Sequence, residues 1–455
     1  MTLDTISPAS GRRIIDPTIE LVDREEIHRR QWHRLQQMLR WIWATNPFYR
    51  DYWRDAGVDL ESINSMDDFV QRVPMIEKGD FLRDQQTAPP FGRRLEHALA
   101  LGERLDVYTT SGTSGQGVEV HAQTNRELAA LGEMYRIGFG WAGLNPGDGV
   151  LMTLPITMMA GGRVEMHGAL SAGMTVYPTG AYNAHEKIDL IRRFRPRALY
   201  GSTSYFGHLA AIHDDPSDLG IDVLLTGMEG AGFSYLEGLQ DAYGARVSDR
   251  FGATQVRGDW MFTCEKGIGT ANRPGLLHNL DPFVLLEVID PETGRQVADG
   301  EEGEIVVTSL FHWDTPVVRC RLRDRGVWHD ETYCSCGRPL GGLEVCSIGR
   351  TDDVKKIKGV NIYPEAVDNL LFSFPEVEEY RVTVTSNDTK ADVIRMQVMP
   401  KAPLNDGPGF IGELSTRLRD RIGISFAVEL CDDLPRSEYK ARRWADRRDH
   451  SLGRK

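Results

Sequence analysis

The chain has 455 residues and a mass of 51.1 kDa, which is too long for one compact core and predicts two or three domains. With 41% hydrophobic and 26% charged residues, its composition is that of a globular protein and excludes a disordered or fibrous one. The formal net charge of −13 offers no general attraction to nucleic acid or to an anionic membrane surface.

The sequence predicts neither a membrane span nor a signal peptide. No apolar run reaches the length of about 18 residues that a transmembrane helix requires, so no membrane span is expected. The N-terminus, "MTLDTISPASGRRIIDP", lacks the apolar segment of a signal peptide. We therefore expect a cytoplasmic protein, in which clustered thiols bind metal more often than they form disulfides.

The first half of the chain predicts helices followed by an α/β region. Helical periodicity extends over residues 24–55, with a break at Asn46-Pro47. From Asp106 to Gly180, apolar runs alternate with glycine-rich turns and with helical stretches such as Asn125–Ile137. This alternation is typical of βαβ units in a largely parallel sheet, and it continues to "ARVSDRFGATQ".

The second half changes character. From Phe283, the runs "FVLLEVID" and "GEIVVTSL" flank a "PETG" turn and predict antiparallel strands. Beyond a boundary near Gly349–Asp353, strand-like "KKIKGVNIYP" and "EYRVTVTS" and helical "FIGELSTRLRDRIG" predict a separate small α+β unit.

A loop rich in small residues stands out at Tyr108–Val120, "YTTSGTSGQGVEV", in which eight of thirteen residues are Thr, Ser or Gly. Backbone N–H groups in such loops often hold phosphate, and the hydroxyls add further donors. The loop lacks the Lys-Ser/Thr pair of P-loop NTPases, which argues against a kinase or ATPase of that type. In isolation, a plain surface turn is an equally good interpretation.

Four further motifs follow in order: "RFGATQ" (Arg250–Gln255), "TPVVRCRLRDRG" (Thr315–Gly326), "IGRTDDVKKIKGVNIYP" (Ile348–Pro364) and "LPRSEYKARR" (Leu434–Arg443). With the loop, they resemble the adenylate-forming superfamily of acyl-CoA synthetases, adenylation domains and luciferases, and its phenylacetate-CoA ligase branch in particular. The resemblance extends over nearly the whole chain. It implies an α/β fold with a large N-terminal domain of helix-flanked sheets (1–349) that includes a small antiparallel, barrel-like part. A hinge (350–352) and a mobile C-terminal α+β domain (353–455) would follow.

The resemblance also implies a reaction. ATP would convert a carboxylic acid to an acyl-adenylate with release of pyrophosphate, and CoA would then take the acyl group as a thioester. An amine, a hydroxyl or a carrier-protein thiol is an alternative acceptor. A non-catalytic relative that only binds nucleotide is a third interpretation, against which the joint presence of Asp324, Arg350 and Lys440 argues. A homodimer is one assembly compatible with this branch.

By the resemblance, catalytic roles fall to Lys440 and Thr254, although Lys440 also fits a solvated basic helix face. Asp352 is the expected hinge and Gly359 lines the expected CoA path, where a hairpin glycine is the ordinary alternative. The residues expected to bind ATP or AMP are Thr110, Ser111, Gly112, Thr113, Ser114, Gly115, Glu229, Gly230, Arg250, Phe251, Gly252, Thr254, Asp324 and Arg350. The expected acid pocket contains Tyr205, His208, Gly227 and Ala253, in segments whose small residues, Met and Tyr favour an aromatic or medium-sized acid.

Two features concern metals. Cys264, His278, Cys334 and Cys336 form a Cys₃His set that is similar to one in this branch and predicts a structural Zn²⁺ site, although buried thiols and an ordinary histidine are the alternative. At the end of "FGATQ", Gln255 stands where the superfamily usually has the Glu that helps to hold Mg²⁺. An amide is a weaker ligand than a carboxylate for this cation, so altered metal geometry is expected near Gln255.

Overall fold

The computed structural model of the chain describes residues 5–6, 12–110, 117–351, 355–357, 360–387, 392–434 and 443–448. The described helices are α1 (Pro17–Glu20), α2 (Arg24–Thr45), α3 (Pro47–Asp55), α4 (Met66–Arg72), α5 (Lys78–Thr87), α6 (Glu96–Ala100), α7 (Asn125–Trp141), α8 (Ala160–Ser171), α9 (Ala184–Phe194), α10 (Thr203–Ala211), α11 (Phe233–Tyr243), α12 (Pro364–Leu371) and α13 (Gly407–Ile422). Short 3₁₀ helices span Leu60–Ser62, Arg93–Leu95 and Pro216–Leu219.

The described strands are β1 (Thr5–Ile6), β2 (Arg13–Ile14), β3 (Leu105–Thr109), β4 (Val120–Thr124), β5 (Gly149–Met152), β6 (Thr175–Pro178), β7 (Ala198–Tyr200), β8 (Val223–Thr226), β9 (Arg246–Ala253), β10 (Gly258–Thr263), β11 (Gly269–Thr270), β12 (Arg273–Pro274), β13 (Leu276–Asn279), β14 (Val284–Ile289), β15 (Glu302–Ser309), β16 (Cys320–His329), β17 (Gly342–Glu344), β18 (Gly349–Arg350), β19 (Lys355–Ile357), β20 (Val360–Ile362), β21 (Val377–Ser386), β22 (Asp392–Pro400), β23 (Ala427–Leu430) and β24 (Trp444–Asp446).

The predicted break in the first long helix is confirmed. Helix α2 ends at Thr45, and the side chain of Asn46 caps α3 by accepting a hydrogen bond from the backbone N–H of Tyr49 at 3.2 Å. Pro47 occupies the first turn of α3, where its missing N–H is no loss. The Asn46 amide also donates to the carbonyl of Arg94 at 2.8 Å, which fixes the corner between the two helices against the rest of the domain.

A continuous sheet forms the framework of the large domain, with strand order β14-β15-β16-β17-β13-β10-β9-β8-β7-β5-β6 and β18 paired with β16. The pairs from β6 to β9 are parallel, as the βαβ pattern predicted. The pairs from β9 to β14 are antiparallel, as predicted for the strands that flank the "PETG" turn. These antiparallel strands therefore extend the same sheet. Strand β9 pairs in parallel with β8 and antiparallel with β10, so the parallel and antiparallel parts of the sheet meet at β9.

One predicted element was assigned to the wrong sheet. The strand before the small-residue loop, β3, pairs antiparallel with β4 from Leu105↔Thr124 to Thr109↔Val120 and lies outside the parallel sheet. The connection between β3 and β4 is shorter than the crossover of about a dozen residues that parallel strands need. The loop thus sits at the tip of a hairpin.

The C-terminal residues form a second, smaller α+β unit. Strands in the order β23-β22-β21-β24 make its sheet, and helices α12 and α13 bury a separate core that includes Ile357, Leu371 and Leu414. Strand β18 pairs with β16 of the large sheet, so the C-terminal unit begins after β18. At the interface, the rings of Tyr235 and Phe372 lie 4.6 Å apart, and a Cβ on Gly232 would lie 2.0 Å from Oδ1 of Asn369 on α12.

In the part of the chain that the structure describes, no helix is both long enough and apolar enough to cross a membrane.

Helix α7 packs closely on β10 through Gly138, and this contact generates a stability prediction. A Cβ at Gly138 would lie 2.4 Å from the ring of Phe262, whereas a Cβ at Gly238 on α11 would meet nothing within 4 Å. We expect Gly138→Ala to destabilise the domain by about 1–3 kcal/mol through overpacking. The matched control, Gly238→Ala, is expected to stabilise it by about 0.5–1 kcal/mol because alanine favours the helix. Thermal unfolding of the two variants checks this, and equal melting temperatures would contradict the described packing.

Candidate active site

The small-residue loop closes at a neck formed by Thr110 and Glu119. The N–H of Thr110 donates to the carbonyl of Glu119 at 3.1 Å, and the N–H of Glu119 donates to Oγ1 of Thr110 at 3.0 Å. The predicted phosphate-binding residues Ser111, Gly112, Thr113, Ser114 and Gly115 lie outside the described residues, as do Asp352, Gly359 and Lys440. The structure therefore positions the neck of the loop, and the predicted phosphate-binding residues 111–115 lie between its two ends.

A tight turn between β9 and β10 carries Thr254 and Gln255. The N–H of Arg257 donates to the carbonyl of Thr254 at 3.1 Å, and the Arg257 guanidinium donates to the carbonyl of Gln255 at 2.9 Å. The same guanidinium donates to the Thr315 carbonyl at 2.7 Å, to Thr315 Oγ1 at 2.9 Å and to Nε2 of His312 at 3.0 Å. Burial lowers the pKa of Arg257 to about 9, so the group is still charged at neutral pH. The turn is thus fixed by a buried cation.

Glu127, in the first turn of α7, holds the same region from the other side. Its carboxylate accepts hydrogen bonds from the N–H groups of Asp314 and Thr315, both at 3.1 Å, and from the Thr315 hydroxyl at 3.0 Å. It also completes a capping box with Thr124, the last residue of β4. Thr315 therefore links the loop hairpin, α7 and the Gln255 turn into one assembly.

Strand β9 carries most of the predicted nucleotide motif, but the side chain of Arg250, the first residue of that motif, points into the core. Arg250 is 3% exposed, pairs with Asp259 at 2.8 Å and lies 3.8 Å above the ring of Tyr200. Its guanidinium is therefore part of the core. A Cβ at Gly252 would lie 2.4 Å from the Gly258 carbonyl, so this glycine permits the close approach of β9 and β10. Phe251 and Ala253 are half-buried along the same strand.

The loop after β8 carries Gly227, Glu229 and Gly230. Its backbone bends at Gly227 and at Met228, which has a φ of 74°. The Glu229 carboxylate accepts a hydrogen bond from the N–H of Ser204 at 2.6 Å, in the first turn of α10. A Cβ on Gly230 would lie 3.1 Å from the carbonyl of Ile348, just before β18. The loop therefore approaches both α10 and the strand that leads to the second domain.

Asp324 and Arg350, which were both predicted to bind ATP or AMP, are directly paired across strands β16 and β18. A guanidinium nitrogen of Arg350 lies 3.5 Å from Oδ1 of Asp324 and 3.4 Å from the Leu322 carbonyl. The Arg350 side chain is 42% exposed and that of Asp324 is 13% exposed, so both are accessible. The strand register thus brings an acceptor and a cation together beside the Gly230 loop.

The predicted acid-pocket residues on α10 have different surroundings. Tyr205 is buried, and its hydroxyl accepts a hydrogen bond from the buried ammonium of Lys187 at 2.9 Å. His208 instead lines a cleft of about 720 Å³ between the two domains. Leu434 and Arg443, which flank the segment that contains Lys440, line the same cleft.

The four predicted zinc ligands come together. The ligand atoms of Cys264, His278, Cys334 and Cys336 all lie within 4.8 Å of one another. Sγ of Cys264 lies 3.8 Å from Sγ of Cys334, and Sγ of Cys336 lies 3.4 Å from Nε2 of His278. Nδ1 of His278 is 2.8 Å from the Leu340 carbonyl, which fixes the ring with Nε2 toward the cysteines.

Asp324 and Arg350 are paired on a large sheet domain, with a smaller domain facing it, and this is the arrangement expected of an adenylate-forming enzyme. The AMP-binding enzyme family model matches residues 68–311, and the model of the AMP-binding enzyme C-terminal domain matches residues 359–448. The first match alone covers more than half of the chain, so the chain belongs to the AMP-binding enzyme family. Its curated relatives include four phenylacetate-coenzyme A ligases, which place it in the phenylacetate-CoA ligase-like branch.

The chain is 27% identical to phenylacetate-coenzyme A ligase of Thermus thermophilus, over 95% of this chain and 99% of that protein. Among solved structures, it is similar to 2-hydroxyisobutyryl-CoA ligase in the postadenylation state, with a TM-score of 0.86, 26% identity, and coverage of 98% of this chain and 95% of that chain. The same ligase with CoA in the thioesterification state gives a TM-score of 0.69, with 28% identity and coverage of 95% and 92%. The described arrangement of the two domains therefore resembles the postadenylation state more closely.

Sequence reasoning missed the residues that hold the site in place. Arg257 lies two residues beyond the "FGATQ" motif, and Glu127 looks like an ordinary helix residue. The capping box at Thr124 and Glu127 was visible as a local signal. Nothing in the sequence indicated that the same carboxylate reaches Thr315.

Arg257 provides a testable prediction. We expect Arg257→Lys to lower the free energy of unfolding by about 1.5–3 kcal/mol, because one ammonium cannot replace the guanidinium's several buried hydrogen bonds. The exposed Arg273→Lys is the matched control and should change stability little. Denaturant unfolding of the two variants measures the difference. Equal loss in both would show that Arg257 does not hold the turn.

Proposed function

We propose that this protein activates a carboxylic acid with ATP, releases pyrophosphate, and transfers the acyl group of the resulting acyl-adenylate to CoA. The observation that carries the proposal is the convergence of Asp324, Arg350 and the Gly230 loop, which come from three separate segments. The phenylacetate-CoA ligases that resemble the chain over their whole length support the same reaction.

Asp324 suits the recognition of a ribose. A carboxylate is acceptor-only and offers two oxygens to a pair of hydroxyl donors. Arg350, at 3.5 Å, adds donors beside this carboxylate. In this role the pair orients the nucleotide, and the loop that begins and ends at Thr110 and Glu119 is proposed to hold its phosphates.

Lys440 is proposed as the cation that neutralises the charge which develops when the carboxylate attacks the α-phosphate. Its flanking residues support this position, because Leu434 and Arg443 line the cleft that also contains His208. Arg443 itself pairs with Glu379 at 2.6 Å, and its guanidinium lies 5.9 Å from the ring centre of Tyr235 in the large domain. Thr254, on the fixed turn, is proposed to contact the nucleotide.

The transfer step is proposed to use a second arrangement of the domains. The TM-scores of 0.86 and 0.69 belong to two states of one ligase, so their difference reflects domain position rather than a different fold. Asp352 is the proposed hinge and Gly359 the residue that lines the path of the thiol.

An aromatic acid is the proposed substrate class, in a pocket bounded by Gly227 and Ala253. The names of the phenylacetate-CoA ligase relatives support it. A panel of aryl and aliphatic acids in a pyrophosphate-release assay ranks the candidates.

We also propose a structural Zn²⁺ at the Cys₃His cluster. The donor set fits the ion: three thiols and an imidazole nitrogen converge, and the backbone N–H groups of Lys266 and Arg338 point at Sγ of Cys264 and Cys336, both at 3.5 Å. Zn²⁺ supplies a cross-link there, because four protein ligands leave no open position for catalysis. Next to the cluster, Arg338 binds Glu20 at 2.8 Å and so ties the N-terminal segment to this region.

The function is tested with Lys440→Ala. Loss of this cation should reduce acid-dependent pyrophosphate release by roughly 100-fold or more. Arg395→Ala, an exposed basic residue in the same domain, is the control and should keep wild-type release. Full activity in Lys440→Ala would remove the role assigned to this lysine. In the wild-type protein, release of pyrophosphate without thioester formation on addition of CoA would leave adenylation but contradict CoA as the acceptor.

The zinc site is tested by metal analysis. The purified protein should contain about one zinc ion per chain, and Cys334→Ser should lose the metal and melt at a lower temperature. Cys431→Ser alters a thiol outside the cluster and should retain the zinc. Absence of zinc from wild-type protein purified without chelators, with an unchanged melting temperature after added Zn²⁺, would contradict the site.

A further inference from the structure

An aromatic contact joins the two domains beside the loop that follows β8. The ring of Tyr235, on α11 of the large domain, lies 4.6 Å from the ring of Phe372, which follows α12 in the small domain. The Arg443 guanidinium lies 4.8 Å from the centre of the Phe372 ring and 5.9 Å from that of Tyr235. One cation thus faces an aromatic ring from each domain, and the negative faces of such rings attract a cation.

Each half of this contact is held in place within its own domain. A Cβ at Gly207 on α10 would clash with the Tyr235 hydroxyl oxygen, so the absence of a side chain there makes room for the tyrosine. Arg443 donates to both carboxylate oxygens of Glu379, at 2.6 Å and 3.1 Å. The carbonyl of Arg443 also accepts a hydrogen bond from the N–H of Val382 at 2.6 Å. The contact therefore joins two fixed side chains and not two loose ones.

Arg443 also offsets a concentration of negative charge at this part of the interface. Its guanidinium lies 3.4 Å from Oδ1 of Asp368 on α12. Burial is the main cause that raises the pKa of Asp368, and Arg443 opposes this shift. The carboxylates of Glu379 and Glu229 raise the same pKa further, and Glu229 belongs to the large domain. Carboxylates of the two domains therefore repel one another here, and the guanidinium between them reduces that repulsion.

The contact lies next to predicted nucleotide-binding residues. The loop that carries Glu229 and Gly230 leads directly into α11, the helix that contains Tyr235. A gap of only about 10 Å³ remains between this loop and the side chains of Phe372 and Arg443. The small domain therefore rests on the loop at which nucleotide binding is predicted, in an arrangement that resembles the postadenylation state of 2-hydroxyisobutyryl-CoA ligase more closely than its thioesterification state.

We propose that Tyr235, Phe372 and Arg443 are positioning residues for the adenylation step, because their contact holds the small domain in the described arrangement. This inference rests on the proposed two-step function. A domain that has to leave this arrangement in every turnover is held in it by a nearly balanced equilibrium. A weaker contact therefore lowers the fraction of molecules that are ready for adenylation. Transfer of the acyl group from a finished adenylate does not use the contact.

The test measures the two half-reactions separately in the full-length protein. Adenylation is followed as single-turnover pyrophosphate release with ATP and phenylacetate, or with the aryl acid of the panel that reacts faster. Transfer is followed as thioester formation from the synthetic adenylate of that acid and CoA. Tyr235→Ala should slow adenylation by roughly tenfold and leave the transfer rate within about twofold of wild type. Tyr235→Phe keeps the ring and should restore adenylation, and Tyr182→Ala, which removes an exposed aromatic side chain of the large domain, should change neither rate.

A double-variant cycle separates this contact from a general loss of structure. Phe372→Ala removes the same contact from the small domain, so Tyr235→Ala/Phe372→Ala should adenylate no more slowly than the slower single variant. Equal loss of both half-reactions, fully additive losses in the cycle, or an unchanged adenylation rate in Tyr235→Ala overturns the assignment. Should Phe372→Ala fail to fold, the ratio of the two rates in Tyr235→Ala decides. No pyrophosphate release by the wild-type protein with any acid of the panel contradicts the proposed function itself, which distinguishes the two failures.

Discussion

The candidate site depends on the hydrogen bonds that the buried guanidinium of Arg257 donates. This group is fully buried and reaches the Gln255 carbonyl, Thr315 and His312, which belong to two distant segments of the chain. Glu127 reaches Thr315 from the opposite side and couples the loop hairpin to the same point. Because a catalytic group displaced by about 1 Å can lose most of its effect, a rigid buried cation is an effective way to align two loops that approach one ligand.

The sequence predicted the sheet classes and the order of the motifs, because hydrophobic periodicity and glycine-rich turns are local signals. Asp324 and Arg350 were predicted as partners in function, and the register of β16 and β18 pairs them. The hairpin of β3 and β4 was missed because a short apolar strand does not reveal its partner. The inward turn of Arg250 toward Asp259 was also not predictable, since a basic residue in a binding motif looks exposed. Contacts between distant segments, such as Glu119 with Gln255, lie beyond any local pattern.

The cysteine cluster shows a different kind of predictability. The C-x-C pair, a lone upstream cysteine and a histidine indicated a ligand set only with the help of the resemblance. The end of strand β10, strand β13 and the loop between β16 and β17 bring the four together. Charge also joins the neighbouring segments, because Arg338 pairs with both Glu20 and Glu265. Stability in this corner therefore comes from both a proposed metal and a buried ion-pair network.

Gly232 has a consequence for the contact between the two domains. Asn369 of the C-terminal domain occupies the space that a side chain at this position would fill. The size of a single residue on the large domain therefore decides how closely the small domain can rest there. A chain with alanine at this position would hold the two domains farther apart at this contact, without any change to the charged and polar groups of the candidate site.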